Sequence, residues 1–385
     1  MILLKNIEVF APEPLGKRDL LIAGGKIVRI SSALKYEPTL NPEVFDGSGM
    51  ILIPGLIDGH VHIAGAGGEG GPSTRTPELR LSQLIEGGIT SVVGCLGTDG
   101  FSRTPESVLM KVKSLRAEGV SAWMLTGAYQ IPTPTFFGDV GKDILMIEEV
   151  IGTGEIALSD HRSSYPSPGE LIRLASHTRL GGMLAGKAGV VNIHMGDARD
   201  PFRPLILAVE QSELPYHTFL PTHCNRNQYI FEDALEYAMH GPVDLTTSSY
   251  PFFSEYEIKP STALIKLLQA SVPPANITMS SDACGSLPLF DEQGNLVSIE
   301  TGQPVTLWQE VRDAIAEGCD AQFALASVTS NVAGILKLKT KGRITEGADA
   351  DLVICNESWE IEDVMAMGQW MMREGVILKK GVYEK

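Results

Sequence analysis

The stretch Ile51-Leu-Ile-Pro-Gly-Leu-Ile-Asp-Gly-His-Val-His-Ile63 decides how the rest of the chain is read. It is an apolar run, interrupted at Pro54-Gly55, that ends in two histidines, and this pattern predicts a buried β-strand. Side chains alternate faces along a strand, so His60 and His62 point to one side while Val61 points into the packing behind them. Two imidazoles so spaced lie about 7 Å apart by strand rise and can close on one metal ion. A bare His-x-His is a weak signal. Its place at the end of an apolar strand, after Pro-Gly-Leu-Ile-Asp-Gly, strengthens it.

On the amino-terminal side, Ile2-Leu-Leu4, Ile7-Glu-Val-Phe10, Asp19-Leu-Leu-Ile-Ala23 and Lys26-Ile-Val-Arg-Ile30 read as short strands parted by turn signals such as Gly24-Gly25. The carboxyl end returns to this style in Ala350–Cys355 and Met365–Leu378. Residues 1–52 and 340–385 are therefore expected to build one small β-sandwich, with residues 53–339 inserted between its halves. The inserted part alternates helical segments, such as Pro77–Glu86 and Pro105–Glu118, with apolar strands. After the first strand come Thr90–Leu96, Ser121–Tyr129, Glu155–Leu158 entered through Gly152-Thr-Gly154, Val190–His194, Thr218–His223, Val243–Thr247 and Ile277–Asp282. Eight strands with intervening helices predict an α/β fold, a (β/α)8 TIM barrel carrying the sandwich as an appendage.

The chain has 385 residues, more than one ordinary domain and suited to a barrel of about 250 residues plus a smaller unit. A net charge of −16 argues against nucleic acid and against anionic membrane surfaces. Five scattered cysteines without C-x-x-C spacing suit reduced thiols. Lys5 and Glu8 interrupt the opening apolar residues, and there is no apolar run of about 18 residues, so a cytoplasmic protein is expected.

The polar residues fall at telling places. His60, His62, His194, His223 and Asp282 all end predicted strands, the face where such barrels build their active sites. His177, His217 and His240 lie in helices or in loops leading to strands and read as surface or packing residues. His161 follows the fourth strand and is open to either a supporting or a structural role. Mixed nitrogen and oxygen donors suit zinc or a similar divalent ion, with two ions if a carboxylate bridges them. Hydroxide formed from metal-acidified water would then be the nucleophile, and Asp282 could carry the proton to a leaving amine.

These residues bring a family resemblance. The first-strand motif, the histidines ending strands five and six, and Ser280-Ser-Asp282 resemble the amidohydrolase superfamily. More narrowly, Gly67-Gly-Glu-Gly-Gly-Pro-Ser-Thr-Arg-Thr-Pro77, Thr126-Gly-Ala-Tyr129, Ser159-Asp-His-Arg-Ser163, Asn192-Ile-His-Met-Gly-Asp197, Pro221-Thr-His-Cys-Asn-Arg-Asn227 and Ser280–Ser286 resemble the isoaspartyl (β-aspartyl) dipeptidases. The resemblance implies that His60 and His62 hold one metal with Asp282, and His194 and His223 the other. It implies Glu69 for the substrate α-ammonium, Arg162 and Arg226 for a carboxylate with Thr98 and Ser286 assisting, and Tyr129 for the oxyanion. A dipeptide is a small zwitterion, and arginine forks suit its carboxylate. The resemblance also implies a homo-oligomer, an octamer.

One departure matters. The family carries a lysine, carboxylated to bridge the metals, where this chain has Glu155. A glutamate has its own carboxylate but is shorter by three bonds, so the fourth strand must shift inward or one metal binds weakly. Two Zn2+ per subunit bridged by Glu155 and hydroxide are expected, with one metal as the alternative. Other amidohydrolases, cyclic-amide hydrolases or N-acyl deacetylases, are rivals, and a non-catalytic scaffold is a third reading. Gly181-Gly-Met-Leu-Ala-Gly-Lys187 approaches a phosphate-binding loop, but Ala188 stands where Ser or Thr is required. It is expected instead as a loop near the substrate mouth. Met365, Met367, Met371 and Met372 are expected in strand packing or subunit contact.

Overall fold

The computed structural model describes residues 1–35, 39, 41–291 and 293–384. The first five strands are β1 (Ile2–Phe10), β2 (Pro14–Ala23), β3 (Lys26–Ser31), β4 (Glu43–Asp46) and β5 (Ile51–Pro54). Eight strands follow with helices between most of them: β6 (Leu56–Val61), β7 (Ile89–Gly94), β8 (Ser121–Thr126), β9 (Val150–Leu158), β10 (Val190–Met195), β11 (Phe219–Thr222), β12 (Val243–Thr246) and β13 (Ile277–Ser280). A hairpin of β14 (Ser286–Phe290) and β15 (Leu296–Thr301) comes next. The chain ends in β16 (Leu352–Cys355), β17 (Ile361–Ala366), β18 (Gln369–Arg373) and β19 (Val376–Ile377).

The opening motif serves two sheets. β5 pairs with β1 and β16 in a nine-stranded sheet ordered β19-β18-β17-β16-β5-β1-β2-β3, with β4 on β1, so both chain ends share one sheet. Immediately after, β6 starts a parallel sheet that runs β6 to β11 in sequence order. Gly55 is the handover, and a Cβ there would lie 2.2 Å from Thr90 Oγ1. Leu52 packs into a buried cluster with Ile7, Leu20, Ile27 and Ile354, whereas Ile53 and Leu56 face the large core. Fully burying such a side chain stabilises the fold by roughly 1.5–3 kcal/mol.

The parallel sheet is curled. Ile57, Val93, Leu125, Ile151, Val190 and Leu220, one from each of β6 to β11 or nearly so, meet in a single buried cluster with Val332 and Leu336. β12 and β13 pair with each other, and backbone hydrogen bonds tie them on both sides. Cys224 N donates to Asp244 O (3.1 Å), while Asp282 N donates to His60 O (3.1 Å) and His62 N to Ala283 O (2.9 Å). Asp244 fastens the same region, accepting from the hydroxyls of Thr222, Thr278 and Ser280.

Three sequence expectations are corrected. Gly152-Thr-Gly154 is no entry loop: it lies buried inside β9, which is nine residues long. Gly181–Ala185 is the last turn of the helix Pro168–Ala185, whose end leads into the start of β10, far along the strands from their carboxyl ends. Glycines there allow close packing, since a Cβ on Gly182 would meet the Gly189 Cα at 2.4 Å. The helix expected over Pro77–Glu86 begins only at Leu81, whereas Pro105–Glu118 is as expected, with Pro105 in its first turn and left-handed Gly119 closing it.

Candidate active site

The carboxyl ends of the parallel strands bring His60, His62, Glu155, His194, His223 and Asp282 together, all buried. Glu155 sits at the centre. Its Oε1 lies 2.8 Å from His194 Nδ1 and 3.1 Å from His223 Nε2; its Oε2 lies 3.5 Å from His60 Nε2 and 3.7 Å from His62 Nε2. Asp282 Oδ1 stands 3.1 Å from His62 Nε2 and 3.7 Å from His60 Nε2. The reach of the short glutamate comes from its strand. Between Val191↔Thr153 and Ile193↔Ile156, β9 carries one residue more than β10. That extra residue is a bulge at Gly154-Glu155, a device that bends a strand and re-aims a side chain.

Three of the four imidazoles are oriented from behind. His60 Nδ1 donates to Asn192 Oδ1 (3.0 Å), and His194 Nε2 donates to Asp160 Oδ2 (2.9 Å). His223 Nδ1 pairs with Thr246 Oγ1 (2.7 Å). Fixing one ring nitrogen turns the other, with its lone pair, toward the cluster. Asp58, absent from the sequence expectations, receives Ser281 N and Oγ and the His60 N–H, and burial pushes its carboxyl up to about 7. Gly97 leaves room for a ring: a Cβ there would lie 2.8 Å from His62 Cε1.

Of the expected substrate residues, Thr98, Arg162, Arg226 and Ser286 line one cavity of about 870 Å³ above this cluster, and Glu69 is bonded to two of them, Thr98 and Ser286. Glu69 accepts from Thr98 Oγ1 (2.9 Å) and from Ser286 Oγ (2.9 and 3.0 Å), so both hydroxyls brace the carboxylate. Arg162 grips Asp160 through Nε and NH2 and turns NH1 toward Glu69 Oε1 at 3.5 Å. Burial would weaken the Arg162 charge, but Tyr129, Asp160 and Glu69 beside it raise its pKa instead. Arg226 NH1 lies 3.4 Å from His194 Nε2. Tyr129 OH lies 2.8 Å from His194 Nδ1, and burial together with the Glu155 charge keeps the phenol protonated well past its usual range. His161 is exposed, its ring 5.0 Å from that of Phe290, and the supporting residue of that segment is Asp160.

The donor set fits a cation. Burial opposes charge on Glu155, yet His60 and His194 hold its carboxyl well below the usual range. Burial likewise holds His223 at about 3, a neutral ring with a free lone pair. Among the described residues, Glu155 Oε2 and Asp282 Oδ1 are buried with no hydrogen-bond partner. Two carboxylate oxygens orphaned in a dry site among imidazoles are balanced by a divalent metal ion. Cys95, missed by the sequence reading, joins His60, His62 and Glu155 in one group with ligand-type spacing; Glu155, His194 and His223 form the other.

Known proteins resemble this chain in sequence and fold. The sequence model of the amidohydrolase family matches residues 223–371. A β-aspartyl dipeptidase from Fervidobacterium islandicum AW-1, solved with β-Asp-Leu, is 40% identical, with 98% of each chain covered and a TM-score of 0.91. A D-hydantoinase shares the fold at 17% identity, with 100% of this chain and 98% of that one covered and a TM-score of 0.71. A dihydroorotase from Streptococcus pyogenes is 29% identical over 164 residues, which is 42% of this chain and 35% of the relative, so the match spans about a third of that protein.

Proposed function

Because the chain belongs to the β-aspartyl dipeptidase family of the amidohydrolases, we propose that it is a metal-dependent hydrolase of β-aspartyl dipeptides. One observation carries this reading: a pair of arginines and an imidazole–carboxylate cluster share a single cavity, and the acidic Glu69 is bonded to Thr98 and Ser286 in its wall. His60, His62 and Asp282 would hold one ion and His194 and His223 another, with Glu155 between them. The division of its two oxygens between the two histidine pairs supports that bridge. Zinc suits these mixed donors, and ions bound there would supply Lewis acidity to the scissile carbonyl and to a water.

The chain's own groups account for the rest. Glu69, braced by Thr98 and Ser286, receives the α-ammonium, while Arg162 NH1 and Arg226 take carboxylate. Tyr129, kept protonated, donates its O–H to the oxygen that gains charge as water adds to the side-chain amide. Asp282 Oδ1, which has only the His62 ring beside it at 3.1 Å, accepts the water's proton and returns it to the amine as the C–N bond breaks. A cyclic amide carries no free ammonium, so Glu69 disfavours the hydantoinase-like alternative.

The fold reading is completed in the same way. The curled parallel sheet is read as a closed (β/α)8 barrel over 53–339, supported by the hydrogen bonds from Asp282 N to His60 O and from His62 N to Ala283 O. The nine-stranded sheet around its own core is read as a small β-sandwich of 1–52 and 340–385, with β5 reaching Pro54. No helix among the described residues is long and apolar enough to cross a membrane. A homo-oligomer, octameric by resemblance, and a cytoplasmic setting belong to the proposal. The test is hydrolysis of β-Asp-Leu against α-Asp-Leu, with and without chelator. Chelator-sensitive cleavage of the β-linked peptide alone is expected; metal-replete protein that leaves β-Asp-Leu intact overturns the assignment.

A further inference from the structure

We infer that Cys95 is a thiolate ligand of the ion held at the His60–His62 side of the cluster, an inference that rests on the metal reading above. Cys95 directly follows β7, its neighbour strand being β6, and its side chain is fully buried. From His60 Nε2, three potential donors stand at nearly equal range: Cys95 Sγ at 3.6 Å, Glu155 Oε2 at 3.5 Å and Asp282 Oδ1 at 3.7 Å. Around a tetrahedral zinc with bonds of about 2.3 Å to sulfur and about 2.0–2.1 Å to nitrogen, neighbouring donors are separated by roughly 3.5 Å. Ligand atoms of His60, His62, Cys95 and Glu155 also lie within 4.8 Å of one another, close enough to share one ion.

The competing account is a packing thiol. Cys95 Sγ does lie 3.7 Å from Val61 O, and Cys95 shares a buried cluster with Val93 and Leu125. That account leaves Glu155 Oε2 buried with no hydrogen bond and Asp282 Oδ1 with only the His62 ring at 3.1 Å. It also gives no reason for the sulfur to stand 3.8 Å from His62 Nδ1 as well as close to His60. A thiolate answers a second need. Glu155 divides its two oxygens between the histidine pairs, so neither side holds a whole carboxylate from it, and a further anion at the His60 side makes up the charge. On binding, the S–H bond breaks as the sulfur–metal bond forms, and one proton leaves to solvent for each ion held. Thiolate ligation also favours soft, zinc-like ions over manganese or magnesium.

The experiment uses the full-length protein reconstituted with zinc or with cobalt. X-ray absorption of the zinc form of unmodified protein is expected to show one sulfur scatterer in the first shell, and the cobalt form a near-ultraviolet thiolate charge-transfer band. Both signals are expected to vanish in Cys95→Ser and to persist in Cys319→Ser, a control in the loop before Asp320. Zinc affinity in Cys95→Ser is expected to fall more than about tenfold. A first shell of only nitrogen and oxygen in unmodified zinc protein that still cleaves β-Asp-Leu overturns the Cys95 assignment alone. Failure to bind zinc at all overturns both this inference and the metal reading beneath it. The spectra of unmodified protein decide the matter even if Cys95→Ser does not fold.

Discussion

Glu69 carries a buried charge at a point where two hydroxyls and one guanidinium converge. Thr98 and Ser286 hold its oxygens at 2.9–3.0 Å, and Arg162 NH1 waits at 3.5 Å. Glu69→Gln keeps the shape and the hydroxyl contacts but removes the charge that pairs with an ammonium. The specificity constant for β-Asp-Leu is expected to fall by a factor corresponding to about 2–4 kcal/mol. Steady-state kinetics check this, and an unchanged kcat/KM takes Glu69 out of the substrate contact. These residues were legible only through the family resemblance, since each taken alone reads as a solvated surface or loop side chain. Cys95 was not, although it also follows an apolar strand. Sulfur reads as a small hydrophobe in sequence, and only the approach of His60 to 3.6 Å changes its meaning. Asp160 was hidden beside His161 and Arg162, since which of three adjacent polar residues turns inward depends on the left-handed backbone at Ser159 (φ 57°).

β9 is the element that adapts the site to a glutamate. Seven of the eight parallel strands were recognisable from apolar runs ending in polar residues. In β9 the core of Gly152-Thr-Gly154 read as turn punctuation, because glycine pairs usually mark loops. The pairing of β9 with both β8 and β10 overrides that local preference. Gly154 is needed where it stands: its φ is 154°, and an added Cβ would meet Asn192 Cβ at 2.9 Å and Asn192 O at 3.0 Å. Asn192 in turn orients His60. Gly154→Ala is therefore expected to disturb Glu155 and His60 together and to lower metal affinity about 10–100-fold, the usual cost of misplacing an outer partner. Competition titration against a chelator measures it. Affinity equal to that of the unmodified protein would show that the bulge does not aim Glu155.

The ions proposed here would join segments that are far apart in the chain. Their ligands come from β6, β9 and β10 and from the turns just after β6, β11 and β13, so occupancy ties the last parallel strand to the first. Among the described residues, the ends of β6 and β13 are joined at this seam by backbone bonds from Asp282 N to His60 O and from His62 N to Ala283 O. Without metal, Glu155 Oε2 is buried with no hydrogen bond and Asp282 Oδ1 has only the His62 ring, which disfavours bringing the two carboxylates together. A ligand that binds only the folded chain stabilises it by about 4 kcal/mol at a thousandfold excess over Kd. That is a large share of the roughly 5–15 kcal/mol that holds ordinary domains together. Chelation is thus expected to lower the unfolding temperature by several degrees and to speed amide exchange over residues 56–63 and 277–284. Residues 1–31, in a sheet with its own buried cluster, should exchange as before. Calorimetry and hydrogen–deuterium exchange on stripped and zinc-reloaded protein make the comparison. Equal exchange at the seam in both states would mean that the ring of strands holds itself shut, and that the ions serve chemistry without contributing to closure.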